Sequence, residues 1–298
     1  VVAMEDRCCH RHAPLSKGRL EGDSVRCLYH GLKFDKSGQC IEIPGSDRIK
    51  KNLCVKTFPV FEKNNLVWIW LGDASLARDN QIIDCTFLKD DEWEYREDYL
   101  FYQSDYRLIV DNLLDASHLN YVHANSIGSD PTAQVPTTTR RTDFGLHVED
   151  FWKNDNPAPH HKKAGNFKGK VDRWNIYDWY IKGNLLVLDS GSAPAGGEGH
   201  TGKRLDAIEF RHVSALTPET EDTTHYYFAH ARNFSLKDKT MTKNISKAVS
   251  EAFKEDKDII EAQQKIINYD PNRKMISKSS DGPLNWVRKK ITEYSLLD

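Results

Sequence analysis

Long apolar runs are missing from this 298-residue sequence. The longest, LVWIWLG from Leu66 to Gly72, falls far short of the roughly 20 residues a membrane helix needs. A membrane-spanning protein is therefore not expected. An excess of positive charge is missing too: 42 Lys and Arg stand against 44 Asp and Glu, with an isoelectric point near 6.7. No basic stripe or block of like charge stands out, which argues against nucleic-acid binding and a charged tail. Cysteine is scarce at six, and several of the six lie close to histidines. That usage reads as metal ligation in a reducing compartment rather than a disulfide framework, so a cytoplasmic location is expected. No leader-type segment or internal repeat is read in the chain. The 39% hydrophobic content suffices for one large or two modest cores.

The first informative stretch is DRCCHRHAPLSKGRLEGDSVRCLYHGLKF, Asp6 to Phe34. Cys8 and His10 form C-x-H, and Cys27 and His30 form C-x-x-H. Two thiolates and two imidazoles suit zinc as well as iron. Structural zinc sites usually pair Cys with Cys and His with His. Here each cluster mixes one of each, which fits a Rieske centre, where one iron takes two cysteines and the other two histidines. Cys8 is preferred to Cys9 because residues two apart on an extended loop point the same way, whereas Cys9 would point away from its neighbour His10. Cys9 is expected to be a packed thiol. A zinc staple stays open on these residues alone.

Turn signals (EGD, HG, DKSG, PG) separate short β-type runs from Leu20 to Gly45, and a strand pair follows with a turn at Lys63-Asn64-Asn65. Residues 1–73 are therefore expected to form a small antiparallel β domain, with further strands preceding Val1, and DASLARDN reads as a linker. Residues 74–298 mix β-rich segments with two helical stretches, Leu108 to Val122 and Asp238 to Asn268. The class is α+β, with helices on an antiparallel sheet in the second domain.

DNLLDASHLNYVH brings Asn112, Asp115, His118 and His123 together. Asp115 and His118 are three apart on one helix face, so the carboxylate is placed to take the imidazole N–H and orient the ring for a metal. His118 and His123 are five apart, roughly 140° around an ideal helix. Both reach one metal only if the helix ends or bulges between them. A third ligand is expected from the second helix. There Met241, Ile245, Val249, Ala252, Phe253, Ile259, Ile260 and Ile267 fall on one face, with Asp256 near its middle. A lone aspartate facing a core is costly unless paired or metal-bound, so Asp256 is the candidate. Two histidines and one carboxylate form the facial triad that leaves iron(II) positions open.

CCHRHAPLSKGRLEGDSVRCLYHGLKFDKSGQCIEIPG resembles the Rieske domain of Rieske non-haem iron oxygenases. NLLDASHLNYVH is similar to that family's N-x-x-D-x-x-H-x4-H motif, and LTPETEDTTHYYFAHARNF and EDKDIIEAQQ resemble the vanillate and dicamba O-demethylase branch. The resemblance implies a [2Fe-2S] cluster on Cys8, His10, Cys27 and His30, a mononuclear iron on His118, His123 and Asp256, and catalytic roles for Asp115 and Asn112. It also implies an NAD(P)H-dependent reductase, O2 as co-substrate, an aromatic substrate, and a homotrimer in which Asp115 faces His30 of the partner subunit. Monooxygenation of a methyl or methoxy carbon is expected, with ring cis-dihydroxylation as the alternative. A Rieske electron carrier and a zinc-stapled binding module are the readings from other classes.

Other motifs carry less. GEGHTGK, Gly197 to Lys203, lacks the Ser or Thr and the helix of a phosphate-binding loop. SAPAGGEGHTGK is expected as a flexible loop, and His160-His161 as an exposed pair. His12, Cys40, Cys54 and Cys85 lack partners at ligand spacing. His212, His225 and His230 are expected at core or surface positions. Pocket residues are sought between Phe151 and Phe234, with Arg211, Ser214 and Lys247 as candidates for a substrate's acidic group.

Overall fold

Closely spaced turn residues leave room only for short strands at the start of the chain: β1 (Ala3–Met4), β2 (Arg19–Glu21), β3 (Ser24–Arg26), β4 (Lys33–Phe34), β5 (Cys40–Glu42), β6 (Thr57–Phe58), β7 (Val60–Lys63) and β8 (Leu66–Ile69). The computed structural model describes residues 1–123, 137–157, 159–196, 204 and 206–295, apart from the side chains of Asn120, Pro159, His160, Lys163 and Ser295. Strands β2 to β5 form an antiparallel meander, β1 pairs with β6, and β7 pairs with β8. Asn64 and Asn65 both adopt left-handed φ in the β7–β8 turn, a conformation asparagine tolerates. Cys8, Leu15, Cys27, Leu32, Phe34, Cys40 and Val55 form the core. This compact unit spans Val1–Asp84, so residues 74–84 belong with it, and a second unit spans Cys85–Asp298.

The second unit contains β9 (Glu94–Tyr102), α1 (Tyr106–Leu114), α2 (Leu119–Val122), β10 (Thr137–Arg141), β11 (Gly145–Asp155), α3 (Pro159–Gly165), β12 (Val171–Tyr180), β13 (Leu185–Pro194), β14 (Ile208–Thr220), β15 (Thr223–Arg232), α4 (Lys239–Tyr269) and α5 (Gly282–Ser295). Its seven-stranded antiparallel sheet has the order β10-β11-β12-β13-β14-β15-β9. Alternation along β14 sends Phe210, His212, Ser214 and Leu216 to one face and Glu209, Arg211 and Val213 to the other. Helices α1, α4 and α5 cover the first, inner face, where Tyr102, Leu108, Ile109, Tyr226, Phe228, Ile260, Val287 and Ile291 share one core.

Three expectations about helices are corrected. The stretch 108–122 is not one helix: α1 stops at Leu114, Asp115 is non-helical, and a 3-10 turn (Ala116–His118) precedes α2. Two further helices exist, α3 and α5; Leu284, Val287, Ile291 and Tyr294 recur at helical spacing in α5 and pack on the core. Ile259 is 57% exposed rather than facing inward, because three residues beyond Asp256 lies roughly 60° off the buried stripe. Residues 192–194 of the supposed loop complete β13, while Gly197 to Lys203 lies outside the described residues. Among the described residues no helix is long and apolar enough to cross a membrane.

Gly191 on β13 is required by close approach. A Cβ there would lie 2.4 Å from Cζ2 of Trp174 and 2.6 Å from the carbonyl oxygen of Ile208. The indole cannot retreat: it is buried, donates to Asp189 at 3.0 Å, and lies under the Arg204 guanidinium. Gly191→Ala is expected to lower stability by about 1–3 kcal/mol, read as a lower urea midpoint at an unchanged slope.

Candidate metal centres

In the first unit, the two clusters sit on loops built alike. Cys8 N–H donates to Ala13 O and His12 N–H to Cys8 O; Cys27 N–H donates to Leu32 O and Gly31 N–H to Cys27 O. The fourth residue after each cysteine, His12 or Gly31, takes left-handed φ to close the turn. His12 thus serves the loop's shape. Cys8 and Cys27 are buried, whereas His10 and His30 are exposed with ring centroids 4.6 Å apart. Burial pushes the Cys8 thiol up, and the adjoining Cys27 thiol adds to this against a backbone hydrogen bond at His10. Two thiols together inside and two imidazoles together outside form the donor split of a [2Fe-2S] Rieske cluster. Cys9 is half-buried against the same core.

In the second unit, Nε2 of His118 and Nε2 of His123 lie 3.4 and 3.2 Å from Oδ1 of Asp256. Their ligand atoms all fall within 4.8 Å of one another. The break at Asp115 and the end of α2 at Val122 make this possible: His123 lies just past the last helical residue, and the two rings meet at 5.3 Å. Each imidazole is oriented through its other nitrogen. Nδ1–H of His118 donates to the backbone carbonyl of Asp115 (2.6 Å), and Nδ1–H of His123 donates to Glu255 Oε2 (2.7 Å), leaving both Nε2 lone pairs for a metal. Asn112 Nδ2 donates to Asp256 Oδ1 at 2.9 Å. Burial alone would raise the Asp256 carboxyl, but when the imidazoles also carry a proton on Nε2, as they can without a metal, hydrogen bonds from His118, His123 and Asn112 outweigh it and hold the group at about 2. His123 is raised because its two carboxylate partners overcome burial. A buried anion between two imidazoles is the donor set that a ferrous ion completes.

The carboxylate of Asp115 does not touch His118. It caps the 3-10 turn by accepting Ser117 N–H (2.9 Å), and its other oxygen accepts from Lys278 Nζ (2.9 Å). The expected carboxylate–imidazole pair is thus replaced by a carbonyl–imidazole pair, because the chain leaves the helix at Asp115. Glu255 was not expected. Glu255→Ala is expected to weaken iron(II) affinity or turnover by about 10–100-fold with an unchanged cluster spectrum, checked by iron titration and steady-state rates.

The candidates for an acidic group separate. Ser214 is buried on the inner face, hydrogen-bonded to His212 Nε2 (2.9 Å) and Tyr226 OH (2.7 Å). Arg211 projects from the opposite face, ion-paired with Asp189 and lying over Trp93. Lys247 is exposed on α4 and faces Glu251 at 3.6 Å. Neither cation lies on the face that carries Asp256's neighbours. His161, expected in an exposed loop, is buried in α3 with Nδ1 2.7 Å from Ser192 Oγ. His212 and His230 lie on the inner face, and His225 pairs with Tyr99 OH. Burial drives His212 well below the usual histidine range, with His230 adding to it, so it is neutral.

Residues 1–59 match the Rieske [2Fe-2S] domain, and residues 102–294 match the vanillate O-demethylase oxygenase C-terminal domain. A Rieske cluster domain joined to a non-haem iron domain defines the oxygenase component of a Rieske-type oxygenase, an oxidoreductase. This chain belongs to the vanillate O-demethylase oxygenase family. It is 47% identical over 292 residues to the iron–sulfur subunit of a toluene-4-sulfonate monooxygenase system of Comamonas testosteroni, covering 97% of this chain and 84% of that one. It is 32% identical over 286 residues to the vanillate O-demethylase oxygenase subunit of a Pseudomonas species, covering 94% and 86%. The crystal structure of dicamba monooxygenase with non-haem iron and dicamba superposes with a TM-score of 0.79 at 30% identity, covering all of this chain and 86% of that one. The zinc-module and electron-carrier readings give way to this assignment.

Proposed function

We propose that this chain is a terminal oxygenase that hydroxylates a methyl or methoxy carbon on an aromatic acid, with electrons from an NAD(P)H-dependent reductase. The carrying observation is the 47% identity, across almost the whole chain, to a subunit named for a methylated arene sulfonate. Hydroxylation consumes one O2, two electrons and two protons per C–H bond oxidised and releases water; a methoxy product then collapses to a phenol and formaldehyde. Ring dihydroxylation is the less favoured outcome.

Cys8, Cys27, His10 and His30 would hold the cluster, and His118, His123 and Asp256 the iron. When bound, these groups supply single electrons and the activation of O2. The protein's own part is placement. The Asp115 carbonyl and Glu255 fix the two imidazole tautomers, and Asn112 fixes the carboxylate. The rings of Phe228 and Phe253 meet at 4.8 Å on the inner face and offer an aromatic substrate apolar surface. A homotrimer is part of the proposal: His30 is exposed and the Asp115 side chain is 28% exposed, so both are accessible to a neighbouring copy. Removing ferrous iron with a chelator should stop substrate oxidation while leaving the cluster spectrum, and iron(II), but not zinc(II), should restore it. Full activity in the iron-free protein would overturn the proposal.

A further inference from the structure

Four buried nitrogen donors on the inner face of the seven-stranded sheet have no hydrogen-bond acceptor among the described residues, Nε of Arg173 and Arg232 and Nε1 of Trp152 and Trp179, and two of them belong together: Nε of Arg173 and Nε1 of Trp152. The side chains are neighbours. Arg173 on β12 pairs in register with Trp152 on β11, and its guanidinium carbon lies 4.3 Å from the indole centroid. Stacking on an aromatic face holds a guanidinium flat and ready for an oxyanion. Native folds keep few buried donors unpaired, so two side by side call for an acceptor that the described residues do not provide. Charge points the same way. Asp155, at 3.5 Å and 40% exposed, is the ion-pair partner of Arg173, and burial disfavours the guanidinium charge by more than Asp155 restores it.

The chain is shaped around this pair. β11 is bulged directly after Trp152, Asn154 takes left-handed φ, and the buried Asp172 carboxylate accepts the N–H groups of Asn154 (2.8 Å) and Gly196 (2.9 Å). Bulges of this kind re-aim side chains beside active sites. A row of rings connects the position to the iron ligands: Phe253 meets His212 at 5.4 Å, His212 meets His230 at 5.6 Å, and Phe210 meets both His230 and His161 at 5.3 Å. Phe253 precedes Asp256 by about one helical turn. His161 bonds Ser192, the register partner of Arg173. Arg173 stands four strand residues beyond the level of Tyr177, Leu188 and His212, about 13 Å. An aromatic ring and an arginine side chain together bridge such a span.

We propose that Arg173, with Trp152 beside it, binds the acidic substituent of the substrate, a sulfonate or carboxylate on an aromatic ring, and so directs the opposite end of that ring to His118, His123 and Asp256. This assignment rests on the reading of the substrate as an aromatic acid. The test is calorimetric binding of benzenesulfonate, benzoate and neutral benzenesulfonamide to the iron-loaded enzyme and to its Arg173→Met and Arg173→Lys variants. Arg173→Met should weaken both anions by about 10–100-fold and leave the sulfonamide unchanged, while Arg173→Lys retains part of the anion affinity. The tighter anion names the acid. Because burying the guanidinium charge costs more than the ion pair with half-exposed Asp155 returns, and methionine keeps the apolar contact with the Trp152 ring, Arg173→Met should melt no lower than the parent. A lower melting temperature with equal losses for all three ligands would show a structural arginine and overturn the assignment. Anion binding unchanged by Arg173→Met would overturn it too, with the aromatic-acid reading left standing. A parent enzyme that binds and oxidises no aromatic acid would overturn that reading itself.

Discussion

Asp256→Ala is expected to abolish turnover while the cluster's spectrum in the reduced protein stays unchanged. The carboxylate supplies one of three ligand atoms, and Oδ1 is the point on which both Nε2 atoms and the Asn112 amide converge. Its loss should exceed the roughly 10–100-fold effect of removing an outer partner of a metal ligand. The folded state should survive, since the substitution removes a buried charge from the centre of α4 and leaves Ala252 and Ile260 packed on either side. Iron content and turnover measured on the same preparation decide the matter. A variant that retains both would remove Asp256 from the ligand set.

Cys8→Ser and Cys9→Ser should differ completely. Cys8 is buried beside Cys27, so its loss removes one of two thiolates and with it the cluster, its colour and its reduced-state paramagnetic resonance signal. Cys9 packs half-buried against the hydrophobic core, and Cys9→Ser should keep the signal at a small cost in stability. The reverse pattern would assign the ligand to Cys9 and change the geometry of the whole first loop.

Local features of the fold and the site were legible in the sequence, and features dependent on distant partners were not. The paired C-x-H and C-x-x-H clusters are contiguous, and their loops are closed by hydrogen bonds within five residues. Asp256 stood out because one carboxylate in an apolar helical stripe demands a partner. The partner of His123 is Glu255, 132 residues away, and an acidic residue beside Asp256 has no periodic signature that marks it. Arg211 failed through parity. Both faces of β14 are covered, with His212 and Val213 equally buried, so the sequence does not say which face is the inner one. The break at Asp115 was required by the His118–His123 spacing, yet the helix-like apolar pattern ran through it. Helix α5 could have been found from the spacing of Leu284, Val287, Ile291 and Tyr294; its charged intervening residues masked it.

The most direct measurement is product mass. The reduced, iron-loaded enzyme should be incubated under isotopically labelled oxygen with a panel of methylated, methoxylated and unsubstituted arene sulfonates and carboxylates. The account predicts one labelled oxygen added at a methyl carbon, or formaldehyde released from a methoxy group, with unsubstituted acids left untouched. Two labelled oxygens and two hydrogens added to a ring would contradict it and place the enzyme among ring dioxygenases.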